Sequence, residues 1–358
     1  MAQQVEERVD IRAWCGGKNI DEVCPEDLKD DWKHLQKILK SHVKSHQMVG
    51  LPIDDRFWKI LPKHFTSQRE DLKEFILEDI KNNINKPLNY NFLINTQALI
   101  DKITSQKLKI NKKALNLGTA KARRFYKKID RLEPYVKYNL YGTKTGRLTV
   151  ESGYFPILNL DKEHRCVLTP QNDFFVELDF NSAELRVVFY LMGLKQPDLD
   201  IHNWIKDNVY KTKITRDRLK SKTFAWLYNP QAENHRLESF IDRRKLVKKY
   251  YVNGRVETPF DRKIEVEQNK ALNYLIQSTT ADLVLRQALK VDECLENKKS
   301  KIAFIVHDSV VLDMSKDEVE ELVKSRLILD TFKKTDFGDF KINMAVGTNY
   351  GKMSKCDI

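Results

Sequence analysis

Two aspartates stand at the ends of apolar runs, Asp179 in VELDFNSAELR and Asp308 in AFIVHDSVVLD. Each run reads as a strand, so each carboxylate belongs at a sheet edge. If the two strands pair, the acids lie side by side. Facing carboxylates repel unless a cation lies between them. Hard oxygen ligands of this kind suit Mg²⁺ shared with substrate phosphates. The bland alternative is a pair of turn or cap residues.

A second set of residues repeats every four positions: Arg216, Lys220, Phe224 and Tyr228. On a helix they form one slowly drifting face, cationic at its start and aromatic at its end. A nucleoside triphosphate has the same polarity. Arg and Lys neutralise an anionic tail, and aromatic rings stack on a flat base. An ordinary amphipathic helix with its aromatics in the core is the competing reading.

The elements that must position these groups follow from periodicity. Residues 28–47 read as a helix, with Leu28, Trp32, Leu35, Ile38 and Leu39 at helical spacing. Gly50-Leu51-Pro52 breaks it, and a second helical stretch covers 53–82 with an interruption near Pro62. Pro134 and the Gly142/Gly146 pair mark a boundary. Phe174 to Leu178 reads as a buried strand, and a helix begins at Ala183. Residues 202–228 and 232–251 read as Lys- and Arg-rich helices, Gly254 to Asp261 as a turn or hairpin, and 265–290 as a long helix. Lys301–Val306 and Val310–Asp313 form a hairpin with Asp308 at its tip. Strands and helices mix without regular alternation, so the class is α+β.

The 358 residues suffice for one large domain or two to three subdomains, and 41 % hydrophobic residues allow a substantial core. The net charge of +12 points to a polyanionic partner, nucleic acid or an anionic surface. Between Lys107 and Lys128 lie nine Lys or Arg and no acid, a candidate phosphate-tracking surface. Five scattered cysteines, with no CxxC pair, argue against a disulfide framework or zinc site. No apolar run approaches the roughly 20 residues needed to span a bilayer, and the start lacks a secretory pattern. The expected location is the cytoplasm.

Taken together, these segments resemble the family A, DNA polymerase I-like, polymerases. DFNSAELR resembles motif A, usually DYSQIELR; TRDRLKSKTFAWLYNP resembles motif B; IVHDSVV resembles motif C, usually VHDE. Their order is the family's. YGTKTGRLTVESGYFPILNL, DLDIH, GRVETPFDRK, LNYLIQSTTADLV, MVGLPIDDRFW and VGTNY resemble its flanking stretches, so the likeness spans about residues 30 to 352.

The resemblance implies a right-hand fold with palm, fingers and thumb and an antiparallel palm sheet. Its bounds would be an N-terminal segment and palm-associated helix at 1–53, thumb at 54–135, palm at 136–194 and 269–358, and fingers at 195–268. It implies primer extension with dNTPs by two Mg²⁺ ions, Mn²⁺ being a substitute, held by Asp179, Asp308 and the backbone carbonyl of Phe180. Arg216 and Lys220 would grip the triphosphate, and Lys220 would protonate the leaving group. Phe224 would pack on sugar and base, Tyr228 would sit at the template-base position, and Glu184 would exclude a ribose 2′-hydroxyl. Arg147, Asn159, Asn273, Gln277 and His307 would touch the primer–template.

Departures are present. Ser309 stands where motif C usually has Glu, Ala225 and Asn229 where motif B often has glycines, Asn269 in place of a usual Arg, and Asp261 where the turn has Gly. The segment between Tyr228 and Gln277 is short, which implies reduced fingers. The stretch before the polymerase-like part is too short for a 3′–5′ exonuclease, so a phage-like minimal form is expected. Its partners would be primer–template DNA, dNTPs and a separate exonuclease, helicase-primase or processivity factor, with no membrane. A single-subunit RNA polymerase and an inactive nucleic-acid-binding module are the competing readings.

Overall fold

The computed structural model describes residues 10–51, 53, 55–211 and 213–356. Pro52 and Asp54, which belong to the expected breaker and the early motif, lie outside them. The chain divides into two compact units, Met1–Ile94 and Asn95–Ile358.

The first unit is helical. Apolar residues at helical spacing make Lys29–Met48 amphipathic, and it packs against Lys63–Asn83. One cluster joins Cys24, Trp32, Ile76 and Ile80, and another joins Leu35, Phe57, Leu61 and Phe65. The buried Trp32 ring keeps its polar edge satisfied, its Nε1 donating to Asp21 at 2.6 Å. The expected interruption near Pro62 separates Asp55–Ile60 from Lys63–Asn83.

The second unit is built on a five-stranded antiparallel sheet. Its spatial order is Ser354–Cys356, Ile342–Gly347, Phe174–Phe180, Ser309–Met314, Lys301–Val306. The Phe174–Phe180 strand is central, with Phe175, Val176, Leu178 and Phe180 buried. All six residues of Ser309–Met314 are buried, as expected of a strand covered on both faces. The Ala271–Cys294 helix packs on Ala183–Leu191 and on Leu327–Lys333. Phe180 stacks on Phe332 at 4.3 Å and meets Phe340 edge-on, which anchors the end of the central strand in the core.

Sequence periodicity overran three helices. The 202–228 stretch is split: Ile201–Ile205 continues into Lys206–Tyr210, Lys211 turns left-handed at φ 50, and Arg216–Tyr228 starts afresh. The 232–251 stretch becomes His235–Glu238 and Arg243–Tyr250, because Asn234 and Asp242 each cap a new helix with their side chains. The 265–290 helix begins only at Ala271, since Lys263–Glu265 pairs with Arg255–Glu257 as a strand. The Tyr251–Val252/Arg255–Glu257 hairpin turns through Asn253 and Gly254, both at positive φ, the geometry that right-twisted strands favour. Asp261 holds φ 62, so the turn keeps a left-handed residue without the usual Gly.

The boundary between units falls inside the Tyr90–Thr104 helix, within the segment expected as thumb. In the basic run, Lys109–Ile110 pairs with Leu168–Thr169, so the run belongs to the second unit. Two of its cations are neutralised from outside it, Lys112 by Asp130 at 2.5 Å and Lys121 by Asp161 at 2.9 Å. Lys107, Lys109, Lys113, Arg124, Lys127 and Lys128 remain exposed. All five cysteines are free thiols. No helix among the described residues is long and apolar enough to cross a membrane.

Candidate active site

The register of the sheet brings the two aspartates together. Asp179 lies opposite Ser309 on one side and Asn343 on the other, and the Phe180 N–H donates to the Asp308 carbonyl at 3.4 Å. Asp308 occupies the tip of the Val306–Ser309 turn, where His307 takes φ 53. Ser182, also left-handed at φ 55, swings the chain from the central strand into Ala183–Leu191 and sets Glu184 in its first turn. These turns open a cavity of about 220 Å³. Its walls include Asp179, Phe180, Asp308, Glu184, Arg216, Lys220 and Phe224.

The electrostatics of the acid pair follow from this placement. Burial, then the charges of Glu184 and Asp179, push Asp308 up to about 7, against Arg147 and Lys220. Burial pushes Asp179 up to about 6; a hydrogen bond from Asn343 opposes this, Glu177 adds to it, and Lys220 lowers it. Asn343 Nδ2 donates to Asp179 Oδ2 at 3.1 Å. The pair is thus poorly compensated by protein groups alone, as expected of ligands for a cation. Among the described residues no cluster of three His, Cys, Asp or Glu side chains could hold a metal by itself. The donor set fits Mg²⁺ that takes further oxygens from substrate phosphates.

This arrangement has a cost in the metal-free chain. Both folded-state pKa values lie above the ordinary carboxylate value, so the stabilising contribution is complete below about pH 4 and is lost as pH rises through 6 and 7. In EDTA, Asp308→Asn is therefore expected to be more stable than the parent at pH 8, by on the order of 4 kcal/mol, and equally stable near pH 4. Thermal melts at the two pH values check this; equal melting at pH 8 would show that the carboxylates are not held in a costly pair.

The four-spaced face predicted from sequence is present on Arg216–Tyr228, which is anchored from behind by buried Leu219, Thr223, Trp226 and Leu227. Trp226 Nε1 donates to Glu238 at 3.2 Å, and the Arg243 guanidinium lies 4.3 Å from the centre of its ring. Lys220 is exposed on the cavity wall. Phe224 and Tyr228 stack at 6.0 Å, and His202 meets Phe224 edge-on at 5.8 Å. The helix runs unbroken through Ala225 and ends at Asn229, whose N–H bonds the Ala225 carbonyl. Arg216, expected on the triphosphate, is forked onto Asp200, Nε to Oδ1 at 3.1 Å and Nη2 to Oδ2 at 2.7 Å.

Arg147, Glu184, Tyr228 and Asn273 form a cluster of their own. Arg147 Nη2 donates to Glu184 Oε1 at 2.5 Å. The Tyr228 phenol is buried beside that carboxylate; burial, then the Glu184 charge, pushes its pKa up. Asn273 Nδ2 donates to the Tyr228 carbonyl at 3.3 Å. Arg147 is aimed by a turn that needs Gly146: its φ is +75, and a Cβ there would lie 2.6 Å from the Arg262 guanidinium. Arg262 is itself fixed by a two-point ion pair to fully buried Asp282. Gln277 is half-buried one turn beyond Asn273, Asn159 is exposed at the end of a short Ile157–Asn159 turn, and His307 is exposed. Asn159, Asn273, Gln277 and His307 stand outside the cavity walls.

Sequence reasoning missed five neighbours: Asn343, Asn181, Asp200, His202 and Glu177. DLDIH resembles a flanking stretch of the family, but its spacing assigns Asp200 and His202 no role. Glu177 bears on the absent motif C Glu, because the Ser309 hydroxyl donates to Glu177 Oε1 at 3.1 Å. A carboxylate from the neighbouring strand thus reaches Ser309. The two-residue alternation of the strand places Glu177 on the Asp179 face and could have pointed to it.

The model of DNA polymerase family A matches residues 230–355. The DNA polymerase of Bacillus phage SP01 is 24% identical over 293 residues, 60% of this chain and 31% of the relative. DNA polymerase I of Aquifex aeolicus (strain VF5) is 24% identical over 246 residues, 56% and 42% respectively. The thermostable DNA polymerase I of Thermus aquaticus is 24% identical over 243 residues, 53% and 29%. The chain therefore spans less than half the length of these relatives. Among solved structures, the POL domain of Pol1 from M. smegmatis, in complex with DNA primer-template and dNTP, superposes with a TM-score of 0.62 at 13% identity. That match covers 86% of this chain and 78% of the other.

Proposed function

Because this chain carries a family A DNA polymerase domain, we propose that it is a DNA-directed DNA polymerase that extends a primer 3′ end with dNTPs and releases pyrophosphate. The observation that carries this reading is the convergence of Asp179 and Asp308 with Lys220 around one cavity. Primer–template DNA and dNTPs are the proposed partners; the neighbouring Pol1 structure, solved with both, supports them. The match to a phage polymerase supports a phage-like form.

Asp179, Asp308 and the Phe180 carbonyl are the proposed ligands for two Mg²⁺ ions, which when bound activate the primer 3′-hydroxyl and offset the charge of the triphosphate. Lys220 offers its ammonium to the triphosphate and a proton to the departing pyrophosphate. Phe224 packs against the nucleoside, and Tyr228 fills the template-base position until the template arrives. Arg147, Asn159, Asn273, Gln277 and His307 face the primer–template; donors to the minor groove test pairing without reading sequence. In this reading palm is 136–194 with 269–358, fingers 195–268, and thumb 54–135 with exposed lysines toward duplex phosphates.

Glu184 selects the sugar. Its carboxylate is fixed by Arg147, so a ribose 2′-hydroxyl meets an immobile anionic wall. The test is primer extension with Mg²⁺, comparing dNTPs with rNTPs. The parent chain is expected to prefer dNTPs, and Glu184→Ala to relax that preference by about 10²-fold. Preference of the parent for rNTPs would favour an RNA polymerase instead.

A further inference from the structure

We infer that Asp200, fixed in place by Asn181, is a positioning residue that competes with the substrate for Arg216 and so sets the apparent affinity for the triphosphate. This rests on the polymerase reading. The Asp200 carboxylate is fully engaged. Oδ1 accepts from Arg216 Nε at 3.1 Å and from the Asn203 N–H at 3.0 Å; Oδ2 accepts from Arg216 Nη2 at 2.7 Å and Asn181 Nδ2 at 2.9 Å. Burial opposes its ionisation, but these donors outweigh burial and hold it well below the usual carboxylate range.

Asn181 is what ties this carboxylate to the strand that bears Asp179. It is buried, and its Oδ1 accepts from the Ile201 N–H at 3.1 Å and from Arg186 Nη2 at 3.4 Å. Fully buried Arg186 also donates to the carbonyls of Asn181, Pro197 and Leu199, which locks the loop leading to Asp200. The amide of Asn181 supplies the donor and the acceptor that this bridge needs at once. Serine, the residue in the DYSQIELR pattern, is shorter and has one hydroxyl, so it cannot span both partners. The next departure from that pattern, Ser182, reaches the same segment, its Oγ lying 2.8 Å from His202 Nε2. Both substitutions thus wire motif A to residues 200–202.

A carboxylate forked onto a guanidinium takes the parallel donors that two phosphate oxygens would take. An incoming triphosphate must therefore exchange with Asp200 for Arg216. Weakening Asp200 favours the exchange without touching the reacting atoms, so KM moves and kcat does not.

The experiment is steady-state single-nucleotide addition by Asp200→Asn and Asn181→Ser, with folding checked by thermal melts. Asn is as good a helix N-cap as Asp, so the first variant keeps the cap. Asp200→Asn is expected to lower the dNTP KM by about 3- to 10-fold with kcat within about twofold, and Asn181→Ser to shift it the same way by less. Isothermal titration of inorganic tripolyphosphate into the DNA-free chain gives a second readout. Binding is expected to tighten in Asp200→Asn and to weaken in Arg216→Ala. An unchanged or raised KM, or unchanged tripolyphosphate binding in Asp200→Asn, overturns the inference. If the parent fails to extend any primer while tripolyphosphate binding still tightens, the polymerase reading falls and the competition for Arg216 stands.

Discussion

Replacing Asp308 or Asp179 by Asn is expected to lower the rate of single-nucleotide addition by about 10³-fold or more, equivalent to roughly 4 kcal/mol of transition-state stabilisation. Asn keeps the volume and a carbonyl oxygen but removes the charge. The loss should appear in kcat, because the proposed primer–template contacts lie on other residues, and primer–template affinity should change by less than about threefold. If both acids hold one pair of ions, as proposed, the two changes should also be non-additive. Rapid-quench kinetics with saturating dNTP check this. A single variant within tenfold of the parent would show that its carboxylate is not a metal ligand. Asp308, under the charges of both Asp179 and Glu184, is expected to be the more sensitive of the two.

Lys220→Ala is expected to lower kcat/KM for dNTPs by about 10²- to 10³-fold. Lys220 is the cation that bears on both aspartates and also lines the cavity beside Arg216. In the proposed mechanism its removal takes away a ground-state contact with the triphosphate, raising KM, and the proton for the leaving group, lowering kcat. Lys220→Arg should restore much of the affinity but little of kcat, because a guanidinium does not give up its proton in this range. Measuring kcat and KM separately for both variants decides the matter. Equal rescue of both parameters by Arg would reduce Lys220 to a charge contact.

The sequence made some of this site legible and hid the rest, and the division is physical. Asp179 and Asp308 could be found because each ends an apolar strand, a local pattern. Arg216, Lys220, Phe224 and Tyr228 could be found because a four-residue interval is also local, and the structure places them on one helix. Adjacency of the two acids needed only the assumption that their strands pair, and the register meets it. The ion pairs Arg147–Glu184 and Arg216–Asp200 were not legible, since they join residues 37 and 16 positions apart through turns. Gly146, which aims Arg147, was visible as a glycine, but the other turns around the site rest on left-handed residues that are not glycine, Ser182, Lys211 and His307, for which composition gives no warning. The same blindness merged 202–228 into one helix. Asn343 approaches Asp179 only through sheet order, which periodicity does not encode.

The surface charge divides in the same way. Nine cations without an acid between Lys107 and Lys128 were plain in the sequence. That Asp130 and Asp161 would neutralise two of them was not, because those acids lie beyond the run.

The central claim is that Asp179 and Asp308 jointly bind a pair of divalent cations around the substrate. Its most direct test is Mn²⁺ binding, followed by electron paramagnetic resonance, to the chain on a dideoxy-terminated primer–template with the matching dNTP. Two ions per chain are predicted for the parent, and neither should remain at the site in the Asp179→Asn, Asp308→Asn double variant. Retention of both ions by that variant would contradict the account.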